Sequence, residues 1–185
     1  MVDLKAFFFN FAAAEVRRRI EMSSAAHRNF SYEELGAVLF LIDWEHTGES
    51  AFRASRDFVT RAKEMGLPLA FSKVLVVNGL GLKDFRYDHF TRRDFNWKGM
   101  PKSSDLNELL DESYDVLVDY SDGGNRYLQR ILRLAKADVK VGYAVGEIAR
   151  TGCDFVVHLQ GVDYGQYNRS IFDYLKHIRV STTAS

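Results

Sequence analysis

The stretch Tyr114–Tyr143, YDVLVDYSDGGNRYLQRILRLAKADVKVGY, decides the fold. It reads as a strand, a glycine turn, a helix and a second strand. Val116–Val118 is apolar on both faces, the pattern of a parallel strand covered by helices on each side. Ser121-Asp122-Gly123-Gly124-Asn125 comes at the strand's C-terminal end and opens the next helix. In α/β folds this is the position at which backbone N–H groups face a ligand.

Working outward, Leu35–Asp43 (LGAVLFLID) is a continuous apolar run and reads as the first buried strand. Ala51–Met65 is an amphipathic helix carrying Phe52, Phe58, Val59 and Ala62, closed by Gly66-Leu67-Pro68. Leu69–Asn78 is the second strand, and Gly79-Leu80-Gly81 breaks it. Asp84–Asn96 alternates aromatic with charged residues, the mark of a half-exposed short edge strand or an extended loop. Ser103 or Ser104, with Asp105 behind it, caps a helix running through Leu110. Asp115–Tyr120 is then the fourth strand, Asn125–Lys136 a helix, Val139–Val145 the fifth strand and Cys153–Leu159 the sixth. Gly165–Val180 is a closing helix with Tyr167, Ile171, Tyr174, Leu175 and Ile178 on one side.

This alternation predicts one α/β domain over residues 31–180. Its form is a three-layer, doubly wound, mostly parallel (Rossmann-like) sheet of five to six strands, in the order 3-2-1-4-5-6. An extra helix precedes it over residues 1–24, and residues 181–185 form a disordered tail. The N-terminal segment holds Phe7, Phe8 and Phe11 on one stripe, with Arg17-Arg18-Arg19 beyond. Such a helix packs on its own domain, on a protein partner or second copy, or on a membrane surface. Its flanks do not suit a secretory signal, and no segment has the ~18 apolar residues that cross a bilayer.

Composition excludes several classes. Lys+Arg and Asp+Glu both number 25, so no global charge draws the chain to nucleic acid. The single cysteine, Cys153, rules out an internal disulfide and any multi-cysteine metal site, and fits a reducing cytoplasm. At the start of an apolar strand it reads as an inert thiol rather than a nucleophile. None of the five histidines forms an HExxH or H-x-x-x-H pair, so neither metal nor cofactor is expected. Gly79-Leu80-Gly81 lacks the third glycine of a dinucleotide fingerprint and comes after the wrong strand. Arg86–Lys98 interleaves bases with aromatics, but its acids suit a charged edge better than a nucleic-acid surface.

In the expected order the first and fourth strands are neighbours, and the chain reverses direction between them. Ligands of open α/β sheets bind at such a switch point. Two tips meet there, Asp43-Trp44-Glu45-His46-Thr47-Gly48 and Asp119-Tyr120-Ser121-Asp122-Gly123-Gly124-Asn125. The candidate ligand-binding residues are therefore Asp43, Trp44, His46, Asp119, Ser121, Gly123, Gly124 and Asn125, with no catalytic residue assigned. Asp43 and Asp119 either converge on a cation or a substrate hydroxyl, or each ends its strand and caps the next helix. The glycine loop suits an anion, but it lacks the lysine of a phosphate-binding P-loop and carries Asp122.

The segments GAVLFLID (36–43), DFNWKGMPKSS (94–104), YDVLVDY (114–120), AKADVKVG (135–142), the 154–159 strand and the 174–178 helix end resemble a family of small bacterial proteins of unknown function. That resemblance implies the fold and supplies no reaction. Residues 114–142 are also similar to the N-terminal half of heptosyltransferase-like, two-domain glycosyltransferases. Such enzymes hold the sugar nucleotide mainly in a C-terminal domain, so the likeness implies no transferase activity for this chain alone. The leading expectation is a non-catalytic binding or assembly module with a small-ligand crevice between the first and fourth strands. The alternatives are an enzyme on a phosphorylated or glycosyl substrate, and a peripheral membrane protein.

Overall fold

A computed structural model describes residues 30–77, 89–146 and 150–177. The Phe-rich N-terminal helix, the Gly79–Gly81 turn and the C-terminal tail lie outside these residues. Within them the sheet is built from β1 (Ala37–Asp43), β2 (Phe71–Val77), β3 (Ser113–Asp119), β4 (Lys136–Val145) and β5 (Phe155–Leu159). The helices are α1 (Gly48–Glu64), α2 (Ser104–Asp111), α3 (Arg126–Leu134) and α4 (Tyr164–His177).

The strand order is β2-β1-β3-β4-β5, and every pairing is parallel. Parallel neighbours need long crossovers, which the helices supply. This order is the expected one with the third strand removed. In that strand's place, Phe90 forms a single parallel bridge to Val77. Arg92–Asp94 is a short 3₁₀ turn, so residues 90–96 are the extended loop rather than the edge strand. The switch point therefore stays where the sequence puts it, between β1 and the strand ending in Asp119.

The two faces of the sheet have separate cores. Val38, Phe40, Ile42, Val116, Val118 and Tyr120 point to one face, under α1 and α4. Leu39, Leu41, Leu75, Leu117, Leu128 and Ile131 fill the other, under α2 and α3. All of β1 is buried, which explains why it reads as one apolar run rather than an alternating one. Fully burying side chains of this size contributes about 1.5–3 kcal/mol each. Phe58 of α1 stacks on Phe172 of α4 at 4.4 Å.

Local chemistry sets several element ends. The Asn125 side chain accepts from the N–H groups of Tyr127 and Leu128 and caps α3. Gly66, at φ +75°, ends α1, with the Leu67 N–H reaching Ala62 O and the Gly66 N–H reaching Lys63 O. Ser103 takes the cap position of α2 without a side-chain cap bond, so α2 depends on burying Leu106 and Leu110. Asp115 accepts from the N–H groups of Gly36 and Ala37, fixing the start of β1 against β3.

Candidate functional site

The C-terminal ends of β1, β3 and β4 bring most of the sequence-predicted residues together. Leu41 pairs with Asp119, so Asp43 lies two residues further along the neighbouring strand. Alternation places Asp43 and Asp119 on the face shared by Leu41 and Leu117. Their Cα atoms are then about 8 Å apart from strand spacing and rise. Both carboxylates are buried.

Each carboxylate has its own partners. Asp43 accepts from the Glu45 N–H at 3.2 Å, and its other oxygen lies 3.0 Å from His46 Nδ1. That carboxylate raises the pKa of the exposed His46 imidazole through its hydrogen bond and charge, and Asp122 adds to the effect. Asp119 accepts from the Ser121 N–H at 2.8 Å and from Arg150 Nη2 at 2.5 Å. Burial pushes the Asp119 carboxyl upward, and the Arg150 guanidinium pulls against it.

Arg150 is the residue sequence reasoning missed. It lies in a loop after β4, and its side chain is only 2% exposed. The guanidinium lies between two glycines: a Cβ at Gly123 would come within 2.1 Å of Nη1, and one at Gly142 within 3.3 Å of Nη2. Its carbon sits 6.0 Å from the centre of the Tyr143 ring. Among the described residues Nε and Nη1 are buried without a hydrogen-bond partner, as is the hydroxyl of Ser121. Gly142, a lone glycine inside a strand, is the one sequence signal of this close approach.

The glycine loop is arranged differently from an open anion cradle. The Gly124 N–H bonds Asp122 Oδ1 at 2.8 Å, and the Asn125 side chain takes the N–H groups of Tyr127 and Leu128. Three side chains of the tip (Asp119, Asp122 and Asn125) thus take the N–H groups of Ser121, Gly124, Tyr127 and Leu128. Gly123 has φ +88°, a conformation that favours glycine. Trp44 packs its half-buried ring against the α1/α4 core, on the far face from Asp43, and its N–H bonds Val77 O.

Asp43, Glu45 and His46 place ligand-type atoms within 4.8 Å of one another, with only Asp43 buried. Asp43 already accepts from the Glu45 amide on one oxygen and pairs with His46 through the other. Cys153 is half-buried, and burial raises its thiol to about 11. Among the described residues, no helix is long and apolar enough to cross a membrane.

With this geometry in place, the family of unknown function DUF6913 matches residues 11–178. The chain belongs to that family. No curated protein and no solved structure matches it. DUF6913 membership covers the whole sheet and both tips, Asp43–His46 and Asp119–Asn125, and it carries no reaction with it.

Proposed function

We propose that this DUF6913 protein is a binding module that takes a small polar ligand at the C-terminal edge of its sheet, between the tips of β1 and β3 and against Arg150. Arg150 carries the reading. A guanidinium has five N–H donors in a fixed fork and is costly to bury with donors unmade. Here Nη2 is paired with Asp119, while among the described residues Nη1, beside Gly123, and Nε, beside Gly142, have no partner. A ligand oxygen inserted between the tips, displacing the atoms that now cover these nitrogens, would satisfy them.

A binding role is favoured over a catalytic one by what the carboxylates are doing. A general base or metal ligand needs a free lone pair directed at the substrate. Both carboxylates are buried and turned to their own chain, Asp43 to the Glu45 amide and His46 and Asp119 to Ser121 and Arg150. These contacts hold the two tips in shape.

The test is thermal unfolding of the protein against Mg²⁺, nucleotides and sugar nucleotides. A ligand at a hundred times its Kd stabilises by about 2.7 kcal/mol, a rise in midpoint of about 5–10 °C for a domain of this size. We expect such a rise with at least one compound, reduced in Ser121→Ala. No rise across the panel overturns the binding reading, and turnover of a panel compound overturns the non-catalytic one.

A further inference from the structure

A second site lies on the other face of the sheet, independent of the crevice. A groove between α1 and α4 encloses a cavity of about 310 Å³, a size within the range of small-molecule sites. Ala54 and Asn168 are among its lining residues, and the Ala54 carbonyl accepts from Asn168 Nδ2 at 2.9 Å. Its walls carry Arg53, Arg61 and Arg169 against one acid, Asp57.

The spacing makes this more than a scatter of surface charge. Arg53, Asp57 and Arg61 stand one helical turn apart on a single face of α1, and Arg169 faces them from α4. Asp57 is placed to pair with either α1 arginine, yet none of the three arginines forms an ion pair among the described residues. Arg61 lies over the Phe172 ring at 5.8 Å, which holds its head at the groove. Among the lining residues three guanidiniums face one carboxylate, with Glu64 beside Arg61 and Asp163 near Arg169 at the rim. Planar guanidiniums match phosphate oxygens in pairs, and a lone carboxylate among them accepts from hydroxyl groups.

We propose that this groove binds a small phosphate monoester of a polyhydroxylated molecule, with the arginines on the phosphate and Asp57 on a hydroxyl. Calorimetric titration with glucose 6-phosphate, inorganic phosphate and glucose tests it. Glucose 6-phosphate should bind more tightly than either part alone. Arg53→Gln and Arg169→Gln should each weaken it at least about tenfold. Asp57→Asn should weaken glucose 6-phosphate while leaving inorganic phosphate unchanged. These side chains are exposed, so the variants keep the fold. No heat of binding at millimolar glucose 6-phosphate overturns the proposal. So does equal affinity for inorganic phosphate, or equal weakening by Arg92→Gln, a substitution outside the groove.

Discussion

Arg150 donates to Asp119 at 2.5 Å with both side chains withdrawn from solvent, joining the loop after β4 to the end of β3. Removing one partner of a buried pair leaves an uncompensated charge, which costs about 3–5 kcal/mol. Asp119→Leu and Arg150→Met should each lose stability on that scale in denaturant unfolding. The double variant should lose clearly less than the sum of the two, because it buries no lone charge.

Gly123 answers to the same guanidinium. An alanine there would combine a left-handed backbone with a methyl 2.1 Å from Nη1. The backbone alone costs about 1–2 kcal/mol. Gly123→Ala should therefore be well over twice as damaging as Gly124→Ala, whose nearest neighbour is the flexible end of Asp122 at 3.2 Å. Adding Arg150→Met should relieve part of the Gly123→Ala loss, which unfolding midpoints of the single and double variants would show.

Tyr120 carries a buried link between elements far apart in sequence. Its hydroxyl donates to Asn168 Oδ1 at 2.6 Å, and Asn168 Nδ2 donates in turn to Ala54 O. Tyr120→Phe leaves the amide oxygen of Asn168 buried without its donor and should cost about 1–3 kcal/mol by chemical denaturation. Asn168→Asp should fail to rescue the link, since it removes the donor to Ala54.

His46 should titrate above the ordinary histidine value of about 6.5, because Asp43 favours its charged form. By linkage, a raised folded-state pKa gives a contribution to stability fully present below the unfolded value and lost as pH rises through the folded value. Imidazole NMR titration should show the elevation, and Asp43→Asn should bring it back toward the ordinary value. An unchanged titration in that variant would remove Asp43 as its cause.

Cys153, with its thiol raised to about 11, should resist alkylation at about pH 8, where an ordinary thiol of pKa about 8.5 is partly ionised. Urea should expose it and restore the normal rate. Fast labelling of the folded protein would contradict its burial.

Much of this architecture is legible in the chain because parallel strands buried on both faces read as unbroken apolar runs. LGAVLFLID and YDVLVDY declare themselves that way, and Asn125 and Gly66 declare helix ends by their own chemistry. Strand ends are less legible. Cys153 and Asp154 precede the apolar run without belonging to it, and the strand begins at Phe155. The aromatic and charged alternation of Asp84–Asn96 describes half-exposure without saying whether a partner strand exists, and Phe90 makes one bridge to Val77. Asp43 and Asp119 can be placed because they end strands. Arg150 cannot, since its role comes from a loop folding back over glycines in two other elements. The groove arginines are hidden for the same reason: spacing on α1 is visible in sequence, but the facing Arg169 is set by how α4 packs.

The all-parallel sheet also governs how the chain reaches its native state. Among the described residues no two neighbouring strands of the sheet can be joined by a tight turn, so the sheet itself offers no hairpin as a local nucleus. Strand β1 is flanked by β2 and by β3, and its contact with β3 joins Val38 to Val116 across two helices and another strand. Loop-closure entropy is spent before such contacts return it, which makes this topology slow to fold. Until β3 arrives, the most apolar strand of the protein has an unpaired edge, and that interval is when the chain is most exposed to aggregation.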